Sequence, residues 1–366
     1  MAPLRAYDAA DRPDRRWAPV RTTSSMGRVR TKRQGVEPDG PRPAADHHNP
    51  LITLDHHIGY AQEEMRMAAR ICVLGSANMD LVVFAERPPA MGETVTGDRF
   101  LTIPGGKGAN QAIAAARAGG EVRMVGAVGE DPYGDQVLGV LRDAGVDTAG
   151  VARVAETTGT AHILVERGGD NSIVVVPGAN GTVHEPVAGL DTSLADADLL
   201  LLQLELPLDA VTDGARAARG HGVKVVLTPA PAQPLTGALL ESVDLLVPNE
   251  HEAAVLTGAA DVDSAASVLL EVVPEVVVTL GARGALWRDR HGGRLEVPAP
   301  EVVARDTTAA GDTFVGALAV ALGEGRPMPD ALRWSAVAAS LSVQKEGAST
   351  SMPDRAAIDR AAATTG

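Results

Sequence analysis

Continuous apolar runs alternate with helical patterns along most of this chain, and this alternation limits the fold more than any other feature. The runs VKVVLTP, VDLLVPN and EVVVTLG are each long enough for one strand, and helical segments separate them. Strands that are apolar on both faces are typical of parallel sheets covered by helices. The pattern therefore predicts an α/β fold, with a parallel sheet core and helices on both faces.

Two stretches depart from this pattern and predict a smaller antiparallel element. TAHILVERGGDNSIVVVPG contains two alternating strands around a turn, which is typical of a hairpin. LVVFAERPPAMGETVTGDRFLTIPG is expected to add further strands. We therefore expect a small antiparallel β element formed from about residues 80–104 and 158–178.

The composition changes near residue 68. Residues 1–68 are rich in proline and arginine and carry a net charge of +2, whereas the remainder carries −16. The first segment has no sustained periodicity and no apolar centre of a signal peptide, so it is expected to be a disordered extension of a folded domain at 69–366. Alternatively, translation starts at Met67. In a GC-rich gene the codons of Glu63 and Glu64 would form a purine-rich ribosome-binding sequence, and residues 1–66 would then be a start-site artefact.

Charge and cysteine content exclude several classes of protein. The net charge of −14 argues against a general binder of nucleic acid or of membrane surfaces. No apolar run reaches the roughly 18 residues of a membrane span. The single cysteine, Cys72, cannot form an intrachain disulfide. A buried thiol in a cytoplasmic protein is the expectation.

The most informative stretch is ARDTTAAGDTFVGALAVAL, where an apolar helix begins close to an acidic residue. The small residues Ala309, Ala310 and Gly311 let the backbone approach a ligand, and free N–H groups at a helix start favour an anion. Asp312 is placed to take a proton from a hydroxyl that attacks phosphorus. The alternative is that Asp312 only caps the helix. The chain lacks GxxxxGK[ST], so it is not a P-loop protein.

Six motifs occur in the order and at the spacing of one enzyme family: GSANMD, GGKGANQA, LLQLELP, PNEHEA, TLGARGAL and DTTAAGDTF. Over about residues 70–355 the chain resembles the ribokinase-like (PfkB-type) sugar kinases, and most closely their ribose-phosphorylating members. The resemblance implies ATP-dependent phosphorylation of D-ribose to D-ribose 5-phosphate. Asp312 would be the general base, and the backbone of residues 309–312 would stabilise the transferring phosphoryl group.

The resemblance also implies a sugar site, so that GGKGAN is not a phosphate loop. Lysine, carboxylate and amide groups together can pair the several hydroxyls of a pentose. The implied sugar-binding residues are Asn78, Met79, Asp80, Gly106, Lys107, Gly108, Ala109, Asn110, Glu205 and Asp312.

Nucleotide and cation sites are implied in the same way. Asn249 and Glu252 would lie near the triphosphate and its Mg²⁺, and the segment Thr279, Leu280, Gly281, Ala282, Arg283 and Gly284 would contact ATP together with Gly311 and Asp312. A K⁺ ion would be held, partly through backbone carbonyls, by Asp306, Thr308, Ser342, Lys345, Gly347 and Ser351.

Family resemblance further implies that the small antiparallel β element is a lid, which would cover the sugar and join two subunits in a homodimer. Three positions depart from the common family pattern: Thr228 and Val315 replace asparagines, and Ala336 replaces a polar residue near adenine. Two alternatives stay open. One is a kinase of this fold for deoxyribose, fructose, a keto-deoxy acid or a nucleoside, and the other is a non-catalytic sugar-binding protein.

Overall fold

The protein is known here from a computed structural model, which describes residues 68–168 and 170–364. The predictions for the N-terminal segment, including the start at Met67, lie outside the described residues. The strands are β1 (Arg70–Leu74), β2 (Asn78–Ala85), β3 (Arg99–Gly105), β4 (Glu121–Gly129), β5 (Asp147–Val154), β6 (Gly159–Glu166), β7 (Asn171–Val176), β8 (Leu199–Leu202), β9 (Lys224–Leu227), β10 (Leu245–Leu246), β11 (Glu275–Thr279), β12 (Ala285–Asp289) and β13 (Arg294–Val297). The α-helices are α1 (Lys107–Arg117), α2 (Pro132–Asp143), α3 (Leu190–Leu194), α4 (Leu208–His221), α5 (Gly237–Leu240), α6 (Glu250–Thr257), α7 (Val262–Leu269), α8 (Ala310–Gly323), α9 (Met328–Ser342) and α10 (Arg355–Ala362).

The larger of the two sheets confirms the predicted parallel core. Within the described residues it has nine strands in the order β13-β12-β11-β10-β9-β8-β1-β4-β5. The seven strands from β11 to β5 pair in parallel, and β12 and β13 add an antiparallel edge. The runs VKVVLTP, VDLLVPN and EVVVTLG contain the neighbouring strands β9, β10 and β11, as their continuous apolar character indicates.

Helices cover both faces of this sheet. Successive residues of β1 alternate between two apolar clusters: Ile71 and Val73 pack with α1, α8 and α9, whereas Cys72 and Leu74 pack with α4 and α7. The core consists mainly of alanine, valine and leucine, because aromatic residues make up only 2% of the chain. Cys72 is fully buried, as expected, and burial raises the pKa of its thiol to about 12. In the described part of the chain, no helix combines the length and apolar character that crossing a bilayer requires.

The second sheet is separate from the first and has the order β3-β2-β6-β7. The β2–β3 and β6–β7 pairs are antiparallel, as predicted. Its central pair, β2 with β6, is parallel and aligns Asn78 with Gly159. The chain between these two strands passes through β3, α1, β4, α2 and β5, and such a long crossover permits parallel pairing.

Candidate active site

The residues that carry the motifs meet at one edge of the larger sheet. Ser76, Glu205 and Thr228 follow the carboxyl ends of β1, β8 and β9. Asn249 follows β10, and Thr279 ends β11. In open α/β sheets this edge is where ligands bind. The topology therefore gathers residues that are far apart in sequence into a single crevice.

GGKGAN forms the start of helix α1 instead of a loop before it. Gly106 is the N-cap residue with φ 90°, a conformation that favours glycine. A Cβ at Gly108 would lie 2.5 Å from the backbone carbon of Gly75, so only glycine lets α1 begin directly against the end of β1. This close approach exposes the first N–H groups of α1 to Glu205, whose Oε2 accepts from the Lys107 N–H at 3.0 Å.

Ser76 completes the support of Glu205. Its hydroxyl donates to Glu205 Oε2 at 2.5 Å, and the N–H of Gly108 donates to the same hydroxyl oxygen at 3.3 Å. The carboxylate is therefore fixed at the mouth of the crevice by β1 and α1 together. Ser76 lies within the motif GSANMD but is not among the predicted site residues.

The segment NMD lies on β2 with its side chains on alternate faces. Asn78 is buried, and its Oδ1 accepts from Asn180 Nδ2 at 2.7 Å. The Asp80 carboxylate packs over Gly105, where a Cβ would lie 2.5 Å from Asp80 Oδ2. Met79, between them, is fully buried in the core, so of the three it is the one whose side chain points away from the crevice.

Four carboxylates act on the single ammonium group of the crevice. Burial works against the charged form of Lys107, but Asp312, Glu205, Glu252 and Asp80 outweigh it and raise the pKa of Lys107. Burial and the nearby Glu205 carboxylate raise the pKa of Asp80 to about 7. The crevice thus holds one positive charge among several carboxyl groups and can both donate to and accept from a polyhydroxyl ligand.

Asp312 lies in the first turn of α8 and is buried. Asn110 Nδ2 donates to its Oδ2 at 3.2 Å, and Gln111 Nε2 donates to its Oδ1 at 3.1 Å. Burial raises the pKa of Asp312 to about 6, although Lys107 and the Gln111 amide favour its charged form. A carboxylate with such a pKa is mostly ionised at neutral pH and is still basic enough to take a proton.

The start of α8 presents free backbone donors beside Asp312. Ala310 donates its N–H to Thr307 O at 3.2 Å, and Thr313 donates to Ala309 O at 2.9 Å. Among the described residues, no backbone acceptor pairs with the N–H groups of Gly311 and Asp312. Ala309 caps the helix with φ 57°, and it is the one non-glycine residue with positive φ in the described part of the chain. Such strained positions cluster at functional sites.

The predicted nucleotide residues form a second group further along the edge. Asn249 and Glu252 make a capping box for α6: Asn249 Oδ1 accepts from the Glu252 N–H and Glu252 Oε2 accepts from the Asn249 N–H, both at 2.8 Å. The Thr279 N–H donates to Pro248 O at 3.0 Å, which places the next loop alongside. In that loop Leu280 is buried, and Gly281 and Gly284 have positive φ. Ala282 and Arg283 are exposed, and Arg283 pairs with Glu250.

Asp306 joins the segment before α8 to a late loop. Its Oδ1 accepts from the N–H and hydroxyl of Thr308 at 2.9 and 2.6 Å, and its Oδ2 accepts from the Gly347 N–H at 2.8 Å. Burial alone would raise the pKa of Asp306, but these hydrogen bonds outweigh it and lower the pKa. The Lys345 N–H donates to Ser342 O at 3.2 Å, and Ser351 is buried in the following turn. The predicted cation residues therefore come from two adjoining segments.

The two-sheet architecture agrees with the ribokinase-like sugar kinase class that the six motifs predicted. Residues 68–355 match the family described as pfkB family carbohydrate kinase. The chain belongs to this family.

Known members are similar to this chain over almost their whole length. The ribokinase of Schizosaccharomyces pombe is 42% identical over 306 residues, which cover 79% of this chain and 96% of that protein. The ribokinase of Bacillus subtilis is 43% identical over 295 residues, which cover 79% and 98%. The structure of Arabidopsis thaliana ribokinase complexed with ribose and ATP aligns with a TM-score of 0.77 at 36% identity, covering 81% of this chain and 99% of that one.

Besides Ser76, three further polar residues at the site had no place in the sequence-based prediction. Gln111 and Gln203 lie within quoted motifs, but glutamines in an apolar context give no chemical reason to select them. Asn180 lies in a glycine-rich turn, and it bridges Ala77 and Asn78 by accepting from the Ala77 N–H at 2.9 Å and donating to Asn78 Oδ1. Buried polar groups of this kind are recognised from their partners and not from their spacing.

Proposed function

We propose that this chain catalyses the ATP-dependent phosphorylation of D-ribose to D-ribose 5-phosphate. The observation that carries the proposal is the buried Asp312 carboxylate, which lies beside the free N–H groups of Gly311 and Asp312 at the start of α8. The similarity to ribokinases over nearly their full length supports ribose as the sugar.

In the proposed reaction the 5-hydroxyl oxygen of ribose attacks the γ-phosphorus of ATP while Asp312 accepts the hydroxyl proton. The new bond joins that oxygen to the γ-phosphorus, and the bond from the γ-phosphorus to the β,γ-bridging oxygen breaks, so that ADP leaves. The N–H groups of Gly311 and Asp312 and the positive end of the α8 dipole stabilise the charge on the transferring group.

The sugar is proposed to bind in the crevice around Lys107. Asp80 and Glu205 accept from sugar hydroxyls, and Lys107 donates to them. Asn110 supports this assignment, because its Oδ1 is buried and has no hydrogen-bond partner in the described protein. An unpaired buried acceptor costs roughly 1–3 kcal/mol, which a ligand hydroxyl would relieve.

ATP is proposed to bind along the loop from Thr279 to Gly284, with its phosphates directed toward Gly311. Asn249 and Glu252 would act near Mg²⁺, whose chemistry is to neutralise charge on the phosphates. Oxygen-bearing side chains fit this ion, which usually keeps several waters and needs few direct protein ligands. The capping box supports the assignment because it holds both side chains at this end of α6.

A K⁺ ion is proposed beside the α8 start. Asp306, with carbonyl or hydroxyl oxygens of Thr308, Ser342, Lys345, Gly347 and Ser351, would supply the ligands. Oxygen donors of this kind suit a hard cation. Asp306 already ties the segment before α8 to Gly347, so an ion here would stiffen the loop that presents Gly311 and Asp312.

Potassium is therefore expected to raise kcat and to affect the ribose KM less, since the proposed sugar-binding residues belong to α1, β2 and the segment after β8 and not to the segments that would hold the ion. The rate should be measured against KCl at constant ionic strength, with a bulky organic cation as balance, because added salt also screens this acidic protein. Asp306→Ala should blunt the response, whereas Asp330→Ala, an exposed change, should keep it. A flat potassium curve for the wild type would contradict the cation site and leave the kinase reaction intact.

The second sheet is proposed to cover the sugar as a lid and to join two subunits. Its edge strand β7 is exposed and apolar, with Ile173, Val174, Val175 and Val176 between 45% and 65% accessible. Such an edge strand is normally covered by a partner. A second copy of the chain is the partner that the family resemblance implies. A cytoplasmic location completes the proposal, because the sole cysteine is a buried free thiol.

Ribose is expected to give the highest kcat/KM in an ADP-release assay over ribose, 2-deoxyribose, fructose and nucleosides with Mg²⁺ and K⁺. A site built to pair a hydroxyl discriminates against analogues that lack it, so 2-deoxyribose should lose about 10-fold or more. Phosphorus NMR of the product should show a 5-phosphate. Faster turnover of 2-deoxyribose would transfer the function to that sugar, and sugar binding without any ADP release would support the non-catalytic alternative.

A further inference from the structure

Two buried amides, those of Gln111 and Gln203, form a hydrogen-bonded relay behind the Asp312 carboxylate. Gln203 Nε2 donates to Gln111 Oε1 at 2.7 Å, and Gln111 Nε2 donates to Asp312 Oδ1 at 3.1 Å. Gln111 and Gln203 are 0% and 1% exposed, so neither can contact bulk solvent. The second hydrogen of Gln111 Nε2 is donated to the Thr228 hydroxyl at 3.3 Å. Gln111 is thus held from three directions.

The Asp312 carboxylate sets the direction of the hydrogen bonds in this relay. An ionised carboxylate only accepts, so Gln111 must turn its NH₂ group toward Asp312 and its oxygen toward Gln203. Gln203 must then turn its own NH₂ group toward Gln111. Its Oε1 is left buried without a partner, packed against Gly75, where a Cβ would lie only 2.1 Å from that oxygen.

An orphaned buried acceptor is unfavourable, and native proteins retain such groups mainly where function requires them. Here the unpaired acceptor is Gln203 Oε1, at the end of the relay that is farthest from Asp312. Rotating the Gln203 amide by 180° would place its oxygen against Gln111 Oε1, where neither atom can donate. The unpaired oxygen therefore stays on the side of Gln203 that faces away from Gln111. The arrangement therefore keeps the Asp312 carboxylate in one orientation and leaves one buried oxygen, Gln203 Oε1, without a hydrogen bond.

We propose that Gln111 and Gln203 are positioning residues for the phosphoryl transfer, which hold Asp312 so that its Oδ2 faces the substrate hydroxyl. Gln111 restrains Oδ1 from the core side, and Asn110 contacts Oδ2 from the pocket side. Gln203 keeps the Gln111 amide in the donating orientation. This inference rests on the proposed kinase function.

The charge balance of the crevice gives the relay a second effect. A hydrogen bond donated to the charged form of a carboxylate lowers its pKa. Among the groups that act on Asp312, Lys107, Gln111 and Asn110 favour the ionised form, whereas burial and Glu205 oppose it. Removing the Gln111 amide should therefore raise the pKa of Asp312 and move the acid limb of the kcat profile to higher pH.

Gln111→Met is the main test, because methionine is unbranched and of similar size but has no amide. We expect kcat to fall roughly 10- to 100-fold, as for the loss of a hydrogen bond to a charged group. The ribose KM should change much less, and the acid limb should move up by about one pH unit. A merely structural role would lower the melting temperature and leave the acid limb where it is.

Gln203→Met provides an independent test, since Gln203 does not touch Asp312. It should shift kcat and the acid limb in the same direction by a smaller amount. Because its effect passes through Gln111, the double variant should be no worse than Gln111→Met alone. Gln136→Met is the control: it makes the same substitution at an exposed position of α2, and it should leave kcat and the pH profile unchanged.

The outcomes separate the two proposals. If none of the tested sugars causes the wild type to release ADP, the proposed kinase function is overturned, and the proposed relay is overturned with it. If the wild type is active but Gln111→Met and Gln203→Met keep its kcat and acid limb, only the relay is overturned. Additive losses in the double variant would also overturn it, because two independent packing defects would then explain the data.

Discussion

Asp312→Asn is expected to lower kcat for ribose by about 10²- to 10⁴-fold, the usual effect of losing a general base. Asparagine keeps the size of the side chain but cannot accept the hydroxyl proton. The free N–H groups of the α8 start and the groups around Lys107 remain, so ribose binding measured by calorimetry should survive. Asp312 is buried and accepts hydrogen bonds from the amides of Asn110 and Gln111, neither of which can act as a base in its place.

The pH dependence provides a second measurement on the same variant. Since the pKa of Asp312 is raised to about 6, wild-type kcat should fall as the pH drops below that value and the carboxylate becomes protonated. The residual rate of Asp312→Asn should lack this acid limb. Asp261→Asn, at the exposed cap of α7, is the control and should match the wild type. A kcat for Asp312→Asn within twofold of the wild type would contradict the assignment.

Gly316→Ala is expected to damage the active site without touching any ligand. Gly316 lies one turn after Asp312 on α8, at the crossing with α1. An added Cβ would lie 2.6 Å from Ala114 Cβ, 2.7 Å from Ala115 N and 2.8 Å from Gln111 O. Two of these atoms are backbone, so the helices must separate, and α1 carries the two amides that hold Asp312.

Overpacking of this kind costs about 1–3 kcal/mol of stability. A displacement of about 1 Å can cost 10²-fold in rate, and we expect a kcat loss on that order. Gly139→Ala is the matched helical control: no atom lies within 4 Å of its added Cβ, so it should gain about 0.5–1 kcal/mol and keep full activity. Unfolding and steady-state assays check both. Wild-type stability and kcat for Gly316→Ala would show that α1 and α8 can separate freely.

The parallel core and its helices could be predicted from the sequence because their signals are local. Continuous apolar runs mark strands buried on both faces, and β8, with the sequence LLLL, is buried at every residue. The lengths of the runs, the glycines after helices and the order of six motifs need no knowledge of the tertiary structure. The motif residues could be assigned to one edge of the sheet because parallel strands all end there.

Register and partner choice could not be predicted in the same way. The hairpins of the second sheet follow from alternating residues, but the parallel pairing of β2 with β6 depends on where the crossover brings β6. Each of these strands would also present an alternating pattern in an antiparallel pair. The two-residue period of a strand fixes which face of the sheet a side chain occupies, but it does not determine which strand pairs with it or in which direction.

The sequence by itself determined the fold class, and it indicated Asp312 as the proposed base together with the residues expected around the sugar. Only the tertiary structure decided what holds that carboxylate. Gln111 and Asp312 are 201 residues apart, and Gln111 and Gln203 are 92 apart. Their contact requires the close crossing of α1 and α8 at Gly316 and the adjacency of β1 and β8. Periodicity reports which residues are buried, whereas the partner of a buried amide is chosen by three-dimensional packing and by the need to pair its donor and acceptor groups.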